Sequence, residues 1–139
     1  MKQITRVNHL GIRVTNLASA RAFYEKLGFK FIVGPSGPEP VAIMEHPSGV
    51  NINLILNADG PVNENILMDV PVKYAGYTHV ALEVDDTPSV VSQLNELGIE
   101  ISEGPVEFPT GFSTFIRDQD RNVIEFHQPK EHIDYPKLR

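Results

Sequence analysis

The chain repeats itself. Residues 9–31 read HLGIRVTNLASARAFYEKLGFKF, and residues 79–101 read HVALEVDDTPSVVSQLNELGIEI. At an offset of 70 residues, with no gap, His9 falls on His79, Val14 on Val84, Ser19 on Ser89 and Leu27-Gly28 on Leu97-Gly98. Gly34-Pro35 and Gly104-Pro105 keep that offset. Further on, residues 43–55 (IMEHPSGVNINLI) line up with 115–127 (FIRDQDRNVIEFH) at an offset of 72, which pairs Ile52 with Ile124 and Asn53 with Glu125. A repeat fixes architecture before any single element does. A chain of 139 residues has the length of one domain, and the repeat makes that domain two like halves around a shared site.

Each half reads as strand, helix, then three strands, so the expected class is α+β with two tandem βαβββ modules. Residues 7–14 alternate in part and are rich in β-branched side chains, as a strand with one buried face requires. Asn16 is placed to cap a helix whose Leu17, Ala20, Phe23, Tyr24 and Leu27 share one face, and Gly28 stands where a C-terminal glycine belongs. In the second half Asp86 or Thr87 caps and Pro88 suits the first turn, with Leu94 and Leu97 continuing the apolar stripe to Gly98. Strands are expected at 29–33, 41–45 and 50–56, then at 99–103, 112–117 and 122–127. The turns at 46–49 and 118–121 make hairpins. The modules are then 5–56 and 76–127, joined by a linker at 57–75 that contains Gly60-Pro61 and Pro71. Residues 128–139 read as a polar tail.

Composition narrows the chemistry. The chain has no Cys, which removes disulfides, zinc–thiolate sites, iron–sulfur clusters and thiol nucleophiles. Any metal is therefore left to His, Asp, Glu or backbone oxygen. A net charge of −6 with no Lys/Arg cluster argues against a nucleic-acid partner. No apolar run approaches the ~20 residues of a membrane span, and Met1-Lys2-Gln3-Ile4-Thr5 lacks the apolar core of a signal peptide. A cytoplasmic protein is expected.

The repeat also places a constellation. His9 and His79 hold equivalent positions on equivalent strands, and a pseudo-twofold relation faces them toward one another. Asn53 and Glu125 are equivalent on the last strand of each half. Two imidazoles with one carboxylate (His9, His79 and Glu125) form the facial set of non-haem Fe(II) enzymes, and the same donors suit Mn, Co, Ni or Zn. Asn53 suits a hydrogen bond to substrate or to a metal-bound water. His127 lies two residues beyond Glu125 and Tyr77 two before His79, so alternation puts both on the ligand face as partners or proton donors. Arg13 and Arg117 are candidates for an anionic substrate group. His46, in a turn, and His132, in the tail, are expected to be solvated. Phe23, Tyr24 and Phe29 have the spacing of packing residues.

The segments VNHLGIRVTNLASARAFYEKLGF, YTHVALEVDD and FIRDQDRNVIEFHQ together resemble the vicinal oxygen chelate superfamily, which includes glyoxalase I, extradiol dioxygenases, fosfomycin-resistance thiol transferases, methylmalonyl-CoA epimerase and bleomycin-binding proteins. The resemblance runs from Val7 to His127. It implies two βαβββ modules whose mixed sheets curl into a cup around one divalent metal, in a chain that pairs as a homodimer. It matches His9, His79 and Glu125 to the family's metal ligands. Glyoxalase I and the epimerase carry a fourth ligand, Glu or Gln, where this chain has Asn53, so the ligand set is more similar to that of extradiol dioxygenases and fosfomycin-modifying enzymes. The usual DPDG turn is replaced by Asp118-Gln119-Asp120-Arg121. The implied function is a divalent-metal enzyme acting on a small oxygen-chelating substrate, dioxygenase-like by its ligands. The alternatives are a lactoylglutathione-lyase-like lyase, isomerase or thiol transferase, and a non-enzymatic drug-binding protein.

Overall fold

Both halves form the expected series of elements. The computed structural model describes residues 1–60, 64–133 and 136; Pro61 of the expected linker and tail residues 134–135 and 137–139 lie outside them. The first half runs β1 (Leu10–Arg13), α1 (Leu17–Lys26), β2 (Lys30–Ser36), β3 (Val41–Glu45) and β4 (Asn51–Ile55). The second runs β5 (His79–Glu83), α2 (Thr87–Glu96), β6 (Ile101–Phe108), β7 (Gly111–Arg117) and β8 (Val123–Pro129). The strands form two four-stranded mixed sheets, ordered β1-β4-β3-β2 and β5-β8-β7-β6. In each, the first and last strands of the half run parallel and the other pairs antiparallel. The chain divides into two compact units, Met1–Asn63 and Glu64–Arg139. Among the described residues, no helix is long and apolar enough to cross a membrane.

The registers repeat as closely as the sequence does. Gly11 pairs with Asn53 as Ala81 pairs with Glu125. Phe31 pairs with Met44 as Ile101 pairs with Ile116, and Ser36 with Val41 as Val106 with Ser113. The same offsets, 70 before the hairpin and 72 after it, hold in both sheets. Gly34 and Gly104 are left-handed, with φ of 113° and 87°. A Cβ at either would run into the backbone oxygen of the neighbouring strand, Val41 and Ser113 respectively. Only glycine permits that approach.

In the first unit, Asn16 Oδ1 accepts the Ser19 backbone N–H at 2.9 Å and starts α1. Tyr24, Ala20 and Phe29 are buried with Val14, Ala42, Met44, Ile52 and Leu54 on the helix-bearing face of the sheet. Tyr24 packs edge-on against Phe23 and Phe29, with ring centroids 5.2 and 5.8 Å away, the arrangement their quadrupoles prefer. In the second unit, Asp86 Oδ1 accepts the Ser89 N–H at 3.1 Å, and Gln128 Oε1 takes the Thr87 N–H at 2.7 Å. Ile116, Ile124, Leu94, Ile99 and Phe126 fill its core.

Several local expectations change. Strand β1 begins at Leu10 rather than Val7, which leaves His9 just ahead of it. Strands β2 and β6 run on past Gly34-Pro35 and Gly104-Pro105, because register shifts absorb the irregularity that the sequence signals as an end. Strand β8 reaches Pro129, two residues into the expected tail, and the Lys130 N–H still donates to Thr110 O at 3.1 Å. His46 is half-buried, not solvated: its ring packs 5.2 Å from that of Phe29, and Nδ1 lies 2.7 Å from Ser48 Oγ. His132 is exposed, as expected.

Candidate functional site

Alternation along β5, β7 and β8 sends one set of side chains toward α2 and the other to the open face of the second sheet. The set toward α2 includes Val80, Leu82, Ile124, Phe126, Thr114 and Ile116. Across the open face, Glu125 sits between Ala81 on β5 and Phe115 on β7, and His127 sits between Glu83 and Ser113. His79 and Arg117 both flank Val123.

His79 and Glu125 come together there. Nε2 of His79 lies 3.9 Å from Oε1 of Glu125, with side chains 35% and 14% exposed. That separation is too long for a direct hydrogen bond. It is within the ~4 Å that two donors on one ion span at about 2 Å each. The other ring nitrogen of His79 is 2.8 Å from Thr78 Oγ1, an outer contact of the kind that orients a metal-binding imidazole. The His79 ring meets Phe115 edge-on, at 6.2 Å between centroids. Glu125 is thus a half-buried carboxylate beside an aromatic wall, facing one imidazole.

The other expected residues fall differently. His9 is exposed, with Nδ1 2.8 Å from Asn8 Oδ1. Among the described residues, no group of three His, Asp or Glu side chains gathers as a metal site. Asn53 lies half-buried on the open face of the first sheet, between Gly11 and Ile43. Arg13 donates to Asn57 Oδ1 at 2.8 Å and pairs with Glu39 at 3.4 Å. Tyr77 precedes β5 rather than extending it and is 99% exposed. His127 shares the face of Glu125, and its Nδ1 is 2.8 Å from Ser113 Oγ.

Arg117 is already engaged. Its guanidinium grips Asp69 at 2.9 and 3.1 Å, a two-bond fork, and Arg121 Nε adds a third bond at 3.1 Å. The Asn65 N–H donates to the same carboxylate at 2.6 Å. These donors, Arg117 foremost, hold the Asp69 carboxyl well below the usual carboxylate range. The segment from Glu64 onward, expected as plain linker, is thereby tied to the β7–β8 hairpin of its own unit. Sequence reasoning missed Asp69, Ser113 and the Phe115 wall. For Ser113 a signal existed: at the offset of 72 it replaces Val41, and His127 replaces Ile55.

The family model described as Glyoxalase/Bleomycin resistance protein/Dioxygenase superfamily matches residues 6–126. The mitochondrial methylmalonyl-CoA epimerase of Bos taurus is 32% identical over 103 residues, covering 69% of this chain and 56% of that protein. The chain thus spans little more than half the length of that curated relative. A glyoxylase/bleomycin resistance protein/dioxygenase domain from Frankia sp. EAN1pec superposes with a TM-score of 0.74 at 21% identity, covering 97% of this chain and 99% of the other. The fosfomycin resistance protein FosX of Listeria monocytogenes, solved with Mn(II) and sulfate, gives a TM-score of 0.68 at 17% identity, covering 99% and 100%. The two structural likenesses speak to the fold.

Proposed function

Because the chain belongs to the glyoxalase/bleomycin resistance protein/dioxygenase superfamily, we propose that it is a divalent-metal-dependent enzyme acting on a small substrate with two neighbouring oxygens. One observation carries the reading. The half-buried Glu125 carboxylate faces His79 Nε2 at a distance that excludes a hydrogen bond and suits a shared ion. The donor set fits such an ion, since His79 has its second nitrogen anchored by Thr78. His9 would supply the third ligand, from the same chain or from a second copy in a homodimer. The Mn(II) in the FosX structure supports the same class of ion, with Fe, Ni, Co and Zn as alternatives that these donors also accept.

A bound divalent ion would polarise the substrate oxygens and stabilise the negative charge that builds on them. The protein supplies the rest. Phe115 stands against one flank of Glu125, and Asn53 would offer a neutral amide to a substrate oxygen. Arg13 and Arg117 are proposed to steer an anionic group through the charge around their ion pairs, and Tyr77 to reach the substrate from the exposed approach to β5. Two imidazoles and one carboxylate favour dioxygenase-like chemistry. The 32% identity to an epimerase favours a second reading, proton transfer at a carbon beside a carbonyl.

Metal analysis of protein purified without chelator tests the proposal. About one ion per site is expected, with affinity falling at least about tenfold in His79→Ala and Glu125→Ala. Less than about half an ion per chain, with no binding on titration of Fe, Mn, Ni, Co or Zn, would overturn it. Oxygen uptake by the Fe form supports the dioxygenase reading. Incorporation of solvent deuterium into an acidic C–H of a 2-methyl-malonyl thioester supports the epimerase-like one. A drug-binding protein, by contrast, would keep its ligand affinity in His79→Ala.

A further inference from the structure

His79 stands where its strand begins, so what precedes it decides how its ring is held. Strand β5 starts at His79 itself. Thr78, whose Oγ1 is 2.8 Å from the ring's Nδ1, belongs to a loop without helix or strand. None of residues 64–78 is fully buried, so apolar packing fixes this loop only weakly. Its hold on the sheet is polar instead and converges on Asp69. Four N–H groups reach that carboxylate, from Arg117, Arg121 and Asn65. Asn65 Nδ2 also donates to Arg121 O at 3.2 Å.

Two braces carry that anchorage along the loop. Lys73 Nζ donates to Met68 O at 3.1 Å and to Val70 O at 2.9 Å, on either side of Asp69. Leu67 packs on Gly76 so closely that a Cβ there would stand 3.1 Å from its side chain. Leu67 lies two residues before Asp69, and Gly76 lies two before Thr78. A line of bonds and packing contacts therefore runs from Arg117 and Arg121 through Asp69 to Thr78 and the His79 ring.

The first half lacks this device. At the offset of 72, Glu45 and Gly49 stand where the second half has Arg117 and Arg121. Gly49 is left-handed at φ 95°, and Arg121 keeps a left-handed backbone at φ 64° despite carrying a side chain. Glycine satisfies the turn in the first hairpin, so the guanidinium at 121 serves the anchorage and not the turn. His9 has a neighbour like Thr78, with Asn8 Oδ1 2.8 Å from its Nδ1, but residues 1–8 carry no acidic side chain to anchor them. The His79 ring, by contrast, is set edge-on to Phe115, with Nε2 3.9 Å from Glu125 Oε1.

We propose that Asp69 is a positioning residue for His79. Gripped by Arg117 and Arg121, it fixes residues 65–78, and through Thr78 it fixes the direction in which His79 Nε2 faces Glu125. The value of that direction to a bound ion rests on the metal reading above. Outer contacts that orient an imidazole change metal affinity by about 10- to 100-fold.

Two measurements test it. In the metal-free protein, NMR reads the His79 ring through its nuclear Overhauser contacts with Phe115. Asp69→Ala should weaken those contacts and move the ring signals toward those of an exposed histidine, while the amide signals of β7 and β8 away from Arg117 hold. Arg121→Gly, which gives this hairpin the residue found at Gly49, should act in the same direction to a smaller degree. Unchanged ring signals in Asp69→Ala, or changes spread evenly along β7 and β8, would overturn the proposal. The second measurement is Mn(II) affinity. Asp69→Ala and Thr78→Ala should each lower it about tenfold, and Thr78→Ser should keep it. The double variant Asp69→Ala/Thr78→Ala should bind no more weakly than either single one, because both act along one line. Losses that multiply to about a hundredfold in the double variant, or no loss in Asp69→Ala, overturn the positioning role and leave the metal reading standing. Absence of Mn(II) binding in wild type overturns the metal reading, and the ring measurement then decides the positioning by itself.

Discussion

Asp69 shows how much one side chain holds in place. Its carboxylate collects Arg117, Arg121 and the Asn65 N–H, and it is only 17% exposed, so solvent screens these bonds weakly. It also accounts for a residue that looks misplaced. Arg121 is left-handed at φ 64°, where glycine would sit without strain, yet its guanidinium makes one of the four bonds to Asp69. Replacing Asp69 by Asn should cost about 2 kcal/mol, the worth of hydrogen bonds to a charged group, measured by urea unfolding at pH 7. The pH dependence has a definite sign. A carboxyl whose folded pKa is depressed stabilises above its unfolded value near 4, and that contribution is lost as pH falls toward the folded one. The difference between wild type and Asp69→Asn should therefore be full at pH 6 and shrink below about pH 4.

Among elements, the two βαβββ series were legible because their signals are local. Asn16 and Asp86 cap where the sequence puts them, Gly28 and Gly98 follow the helices, and the offset of 72 reproduces the observed pairing of Gly11 with Asn53 and Ala81 with Glu125. The ends of β2 and β6 were misjudged because a Gly-Pro pair usually interrupts a strand, and here a register shift carries the ladder past it. Within that symmetry, the polar Ser113–His127 pair is the exception to test. The double variant Ser113→Val/His127→Ile, copying the first sheet, should fold with unchanged circular dichroism and equal or higher thermal stability, since it removes a buried hydroxyl and adds apolar area. A loss of more than about 2 kcal/mol would mean that the second sheet needs its polar pair for folding.

At the scale of the whole molecule, the proposed metal ligands come from both units. His79 and Glu125 are supplied by the second unit, and His9 by the first. If the chain pairs as a homodimer with each site drawn from two copies, mixing His9→Ala protein with His79→Ala protein after partial unfolding should recover one metal ion per mixed dimer. Each variant alone should bind none with native affinity. Recovery is read by metal content of the dimer fraction. Its failure, with both variants folded and dimeric, would count against a site shared between two copies.

Sequence alone determined the tandem modules, their element order, the absence of thiol chemistry and the equivalence of His9 with His79 and of Asn53 with Glu125. Those follow from periodicity, punctuation and repetition, which are properties of neighbouring residues. Tertiary structure decided which polar groups are already taken. Arg117 found Asp69 across 48 residues, and His127 found Ser113 across 14. Such partners are chosen by strand register and burial, and a buried donor must find an acceptor wherever the fold brings one. That requirement turned Arg117 from a free guanidinium into a tie for the linker, and gave His127 a buried serine as its partner.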